Sequence, residues 1–192
     1  MHFLILLGSV RAERTGIRAA RFVERQLQAR GHQSTLVDAN ELNLPFLDRA
    51  YRDYSPGTAP AVLERLAELY RSADGFVVVT AEYNHGVPGA LKNLLDHFRE
   101  EYFFRPSAIV SYSSGPFGGV RAAVHLRAVL GELGMSSIPR MLPIARIRTA
   151  LDEDGGEIAG GPLKVDRRFF DELEWYAEAL RSHRARAGVP GQ

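Results

Sequence analysis

The sequence predicts an α/β fold, a parallel sheet with helices on both faces. Three observations carry that expectation. Short unbroken apolar runs recur along the chain, as in strands buried on both faces. Between them, apolar residues return every three to four positions, the period of a helix packed on one side. Strand and helix alternate five times, and right-handed crossovers turn such an alternation into one parallel sheet.

The first strand is the run Phe3 to Leu7, closed by Gly8. After the polar loop Ser9 to Thr15, Ile17, Ala20, Val23 and Leu27 mark a helix that ends at Gly31, a glycine suited to the position just past a helix. Ser34 to Val37 is a brief second strand, and Glu41 to Pro60 is irregular, with Pro45, Pro56, Gly57 and Pro60. A helix over Ala61 to Ser72 leads to the third strand, Gly75 to Thr80, whose Phe76-Val77-Val78-Val79 run is strongly β-forming. The polar segment Ala81 to Val87 follows it directly. Pro88 then opens a helix on which Leu91, Leu94, Leu95 and Phe98 share one face. Ala108 to Tyr112 is the fourth strand and Ser113 to Gly119 a glycine-rich turn. Ala123, Leu126, Leu130 and Leu133 mark the next helix, and a fifth strand lies within Ser136 to Ala145. Leu151 to Pro162 reads as an acidic, glycine-rich surface loop. Phe169, Leu173, Tyr176 and Leu180 give the closing helix its apolar face.

A chain of 192 residues suits one well-buried core. A single domain over residues 1–182, with 183–192 as a flexible tail, is the expected organisation. Hydrophobic residues at 45% and charged residues at 24% exclude a disordered chain. A formal charge of +1 supplies no overall field for nucleic acid or an anionic membrane. Without cysteine there is no disulfide, thiol nucleophile or thiolate metal site. The start MHFLILLGSVR has no basic leader or small-residue cleavage pattern, and no run approaches the ~18 apolar residues of a membrane span. A cytoplasmic protein is expected. The histidines show no ligand spacing, so no metal site is expected.

In parallel sheets, ligands sit beyond the carboxyl ends of the strands. The loops after the first, third and fourth strands therefore converge at one edge. Gly8-Ser9-Val10-Arg11-Ala12-Glu13-Arg14-Thr15-Gly16 sets hydroxyls and a guanidinium before a helix start, where unpaired N–H groups suit a phosphate. The alternative is a Thr15 cap and a solvated Arg11. Ser113-Ser114-Gly115-Pro116-Phe117-Gly118-Gly119 lets backbone approach a flat ligand, or is simply a tight turn into a helix.

The middle loop is the specific one. From Glu82-Tyr83-Asn84 through Pro88, Leu91-Lys92-Asn93 and Asp96, it resembles the P-E-Y-N-x-x-x-P-x-x-L-K-N-x-x-D signature of the NADPH-dependent FMN reductase family, with Ala81 in place of the first proline. Gly8-Ser9-x-Arg11 resembles the family's phosphate loop, and Ser114-Gly115 with Gly118-Gly119-x-Arg121-Ala122 its third motif. Where many members carry a serine and an asparagine after the arginine, this chain has Thr15 and Ile17.

The resemblance covers roughly residues 2 to 145 and implies a flavodoxin-like three-layer sandwich, a five-stranded parallel sheet in the order 2-1-3-4-5. It implies that Ser9, Arg11, Thr15, Gly16 and Ile17 surround the phosphate of FMN. Glu82, Tyr83, Asn84 and His85 would run along the isoalloxazine ring, with Ser113, Ser114, Gly115 and Gly118 at its pyrimidine side. Hydride would pass from NADPH or NADH to the flavin, then to a small-molecule acceptor such as free flavin, a quinone, an azo compound or a metal oxyanion. No catalytic acid or base is required, because the cofactor performs the chemistry. His85 reads as a loop-closing or partner-contacting residue ahead of a proton donor, and Lys92, Asn93 and Asp96 read as structural. Arg14, Arg18 and Arg121 are candidate contacts for the donor's 2′-phosphate, with solvated surface as the alternative. Members are usually dimers or dimer pairs, so a homodimer or homotetramer is expected, with the Pro45 to Pro60 loop reaching over the partner's flavin. The rival functions are an FMN electron carrier without its own NAD(P)H activity and a non-catalytic nucleotide-binding or scaffold protein. Carriers are commonly strongly acidic, and this chain is near neutral.

Overall fold

The structure, a computed structural model, describes residues 1–190. Five strands in these residues, β1 (His2–Leu7), β2 (Gln33–Asp38), β3 (Gly75–Ala81), β4 (Pro106–Tyr112) and β5 (Ser136–Ile144), form one sheet in the order β2-β1-β3-β4-β5. All four pairings are parallel. This is the flavodoxin-like order implied by the motifs. The helices are α1 (Gly16–Ala29), α2 (Ala39–Leu42), α3 (Ala61–Ser72), α4 (Gly89–Asp96), α5 (Val120–Glu132), α6 (Ile147–Ala150) and α7 (Arg168–Ala187).

Alternation along β1 builds the three layers. Phe3, Ile5 and Leu7 pack with α1 and α7 on one face, through Phe22, Val23, Leu27, Phe169 and Leu173. Leu4 and Leu6 point the other way, against Leu66 and Tyr70 of α3, Leu94 of α4 and Leu126 of α5. Each such side chain contributes roughly 1.5–3 kcal/mol by leaving water, and both faces of the sheet are sealed. The outer strand β5 pairs only with β4, which is why it tolerates Pro139 and Pro143.

Register places the functional loops. Leu7 pairs with Val79, Ala81 with Tyr112, and Tyr112 with Ile144, so β1, β3 and β4 release their loops at one edge.

The tail differs from expectation. The closing helix runs on to Ala187, because Arg and Ala are strong helix formers and the breakers first arrive at Gly188, with φ 72°. Arg184 ties this last turn to the body by donating to the Phe104 carbonyl at 2.7 Å. Residues 191 and 192 of the expected tail lie outside the described residues. The two short helices α2 and α6 were not marked by periodicity, since four residues cannot display it.

Candidate cofactor site

The first loop begins under a steric constraint. A Cβ at Gly8 would lie 2.2 Å from Cβ of Leu91, so α4 can cross the end of β1 only because position 8 is glycine. Beyond it Ser9 is buried, its hydroxyl 3.4 Å from the Tyr83 hydroxyl. Arg11 is exposed, its guanidinium carbon 6.0 Å from the Tyr83 ring centroid. The Thr15 hydroxyl makes no cap hydrogen bond to α1, while its carbonyl accepts from Arg18 N at 3.1 Å in the first turn.

Arg14 holds this loop in shape. Its Nη1 donates to the Ser9 carbonyl at 3.0 Å and to the buried Asp38 carboxylate at the end of β2. The hydrogen bond to Asp38 raises the Arg14 pKa against the opposing effect of burial. Arg18 donates to the Leu151 carbonyl at 2.8 Å and pairs with Glu153 at 3.4 Å, and Arg121 pairs with Glu82 at 3.0 Å. The three arginines weighed as 2′-phosphate contacts or solvated surface are thus all engaged within the chain.

The second loop is a tight hairpin. Tyr83 and Gly86 exchange backbone hydrogen bonds of 3.1 and 2.9 Å, with Asn84 and His85 at φ 50° and 66° between them. Those angles define a type I′ turn, in which left-handed positions favour Gly or Asn. His85 therefore occupies a strained position, and Tyr83, Asn84 and His85 all face outward. Ahead of the turn, Glu82 accepts from Arg121 N at 3.0 Å, Ala122 N at 3.4 Å and Arg121 Nη1 at 3.0 Å. It braces the hairpin to the first turn of α5 and satisfies two of that helix's orphan donors.

Burial pushes the Glu82 carboxyl upward, but Arg121 and the two backbone N–H groups outweigh it, so its pKa lies below the ordinary 4.5. A depressed carboxylate pKa stabilises the fold fully above the unfolded value and loses that effect as pH falls through the folded value. Glu82→Gln is therefore expected to lower stability by about 1–2 kcal/mol near pH 7, Arg121 being partly exposed. The gap from wild type should close below pH 4.5. Urea unfolding across pH checks this, and a gap that widens in acid would contradict it.

In the third loop, Ser113 Oγ donates to the Gly115 carbonyl at 3.0 Å. Gly118 and Gly119 are buried with φ 62° and 76°. A Cβ on Gly119 would lie 2.9 Å from the Tyr112 carbonyl, so the turn into α5 needs glycine there. Gly118 packs against Pro143, Ile144 and Ala145, beneath the loop.

A cavity of about 250 Å³ lies at this edge and brings together Ser9, Arg11, Thr15, Tyr83 and Ser114 with Tyr112 and Arg148. Ile17 lines the adjoining groove, while Gly16 is buried under the Tyr112 hydroxyl. Glu82, Asn84, His85, Ser113, Gly115 and Gly118 do not line the cavity; they shape the two loops beside it. Burial pushes the Tyr112 phenol up to about 12. A hydroxyl-rich wall with guanidinium groups and a helix start suits a phosphate monoester, and an aromatic ring at the mouth suits a flat ligand. Lys92 and Asp96 form a helix ion pair at 2.5 Å, and Asn93 clamps the 45–47 segment through the Pro45 carbonyl and Leu47 N at 2.8 and 2.9 Å.

Residues 1–148 match the family model described as NADPH-dependent FMN reductase. An NAD(P)H-dependent FMN reductase of Pseudomonas aeruginosa is 36% identical over 134 residues, 67% of this chain and 71% of that protein. A quinone reductase of Escherichia coli is 45% identical over 75 residues, 37% of this chain and 40% of that protein. Among solved structures, a flavoenzyme NAD(P)H:(acceptor) oxidoreductase of Paracoccus denitrificans superposes with TM-score 0.69 over 95% of this chain and 98% of that one, at 20% identity. That likeness is one of fold.

Proposed function

This chain belongs to the NADPH-dependent FMN reductase family, and from that premise we propose that it binds FMN at the carboxyl edge of its sheet, takes hydride from NADPH or NADH, and passes the electrons to a small-molecule acceptor. The observation that carries the reading is the meeting of Ser9, Arg11, Thr15, Tyr83 and Ser114 around one cavity. Bound FMN supplies the hydride acceptance and the electron transfer. The chain supplies position and electrostatics. Arg11, the two hydroxyls and the start of α1 would hold the phosphate. The Tyr83 hairpin and the 113–118 turn would flank the ring, and N–H groups of that turn would stabilise the negative charge that reduction places on it. Free flavin, quinones, azo compounds and metal oxyanions are the acceptor classes proposed.

The protein works as a homodimer or homotetramer in the cytoplasm. Among the described residues no helix is long and apolar enough to cross a membrane. Val10 and Phe46, 47% and 87% exposed, line one groove next to the first loop, an apolar surface that suits a second copy. The Pro45 to Pro60 loop, anchored at its base by Asn93, reaches from there over the partner's flavin.

The test is an absorbance spectrum of the purified protein before and after anaerobic NADPH. Oxidised-flavin bands that bleach on addition are expected, followed by steady NADPH consumption when a quinone is supplied. A colourless protein that shows no thermal shift with added FMN would overturn the assignment; bleaching without turnover would favour the carrier.

A further inference from the structure

The geometry points to Arg148 as a second guanidinium for the cofactor's phosphate monoester, a specificity-determining residue outside all three sequence motifs. This deepens the FMN reading above and rests on it. Arg148 lines the cavity that holds Ser9, Arg11 and Thr15, and also the groove that continues from it along α1. It is exposed while its neighbours in α6, Ile147 and Ala150, are buried in the core, so the helix is anchored and the guanidinium projects from it.

Two sets of hydrogen bonds hold α6 and its C-cap in place, one to the third loop and one to α1. Arg146 N donates to the Gly115 carbonyl at 2.9 Å and Ile147 N to the Ser113 carbonyl at 3.1 Å, both in the third loop. From the other side, Arg18 of α1 donates to the Leu151 carbonyl at 2.8 Å. Arg148 therefore sits at a junction of α1 and the third loop that is already formed.

Charge gives it the role. A phosphate monoester approaches two negative charges at neutral pH, and the first loop offers only Arg11, since Arg14 is occupied by Asp38 and Arg18 by Leu151 and Glu153. Glu13 lines the same cavity and adds a further negative charge. Arg148 has no carboxylate partner among the described residues. A guanidinium so placed matches phosphate by forked hydrogen bonding and selects FMN over riboflavin, which lacks the phosphate.

The experiment titrates apo protein with FMN and with riboflavin, reading dissociation constants from flavin fluorescence in wild type, Arg148→Ala and Arg148→Lys. Arg148→Ala is expected to weaken FMN about tenfold to a hundredfold and to leave riboflavin unchanged, with Arg148→Lys between. Unchanged FMN affinity in Arg148→Ala overturns the inference. So does equal weakening of both flavins, which would mark a structural role. A rise in KM for NADPH alone, with FMN affinity intact, overturns it too, because the guanidinium would then serve the donor's 2′-phosphate. Wild-type protein that binds no FMN would instead bring down the cofactor assignment itself, and this inference with it.

Discussion

Arg14→Ala is expected to destabilise the protein by about 3–5 kcal/mol, because it strands a buried carboxylate. The Asp38 side chain is 1% exposed and its Oδ2 already lacks a partner; Oδ1 has Asn40 N at 3.0 Å and Arg14. Removing the guanidinium leaves one backbone N–H to support the charge. For a chain of this size the melting temperature should fall by roughly 6–20 °C. Adding Asp38→Asn should recover part of the loss, since a neutral amide is far cheaper to bury than a carboxylate. Arg14→Ala also frees the Ser9 carbonyl and should weaken FMN binding. Thermal unfolding of the single and double variants checks this, and a wild-type melting temperature for Arg14→Ala would refute it.

Gly16→Ala should act on the cofactor most directly. The added Cβ would lie 2.2 Å from the Tyr112 hydroxyl and 2.7 Å from its Cζ. Tyr112 ends β4, is 5% exposed and lines the cavity beside the start of α1. Either its ring moves into that cavity or the start of α1 moves away from the third loop, at a stability loss of about 1–3 kcal/mol. If the start of α1 holds the FMN phosphate as proposed, either displacement should raise the FMN dissociation constant about tenfold or more. In a Tyr112→Leu background the ring is gone, so adding Gly16→Ala should have little further effect, a non-additivity that marks the contact. Flavin titration of the four proteins is the measurement. Wild-type affinity in Gly16→Ala would show that α1 and Tyr112 can part without consequence.

Much of the molecule was readable along the chain. Unbroken apolar runs such as Phe76 to Val79 mark strands wherever they occur, because a strand buried on two faces has no polar positions. The Leu91, Leu94, Leu95 stripe marks α4 for the corresponding reason on a helix. The Glu82 to Asp96 signature pointed to the family, which the match over residues 1–148 establishes. The end of α7 was less readable, since charged residues resemble a solvated tail yet continue a helix well.

What the residues by themselves determined is the order of strands, helices and polar loops, since those follow from local periodicity and turn chemistry. Folding alone decided the partners: Arg14 for Asp38, Glu82 for the start of α5, Gly16 for Tyr112, and Arg148 for the cavity lined by Ser9, Arg11 and Thr15. The residues so joined lie between 24 (Arg14 and Asp38) and 139 (Ser9 and Arg148) positions apart in the chain. No local pattern carries such pairings, because they arise only when parallel strands in register bring separate loops to one edge.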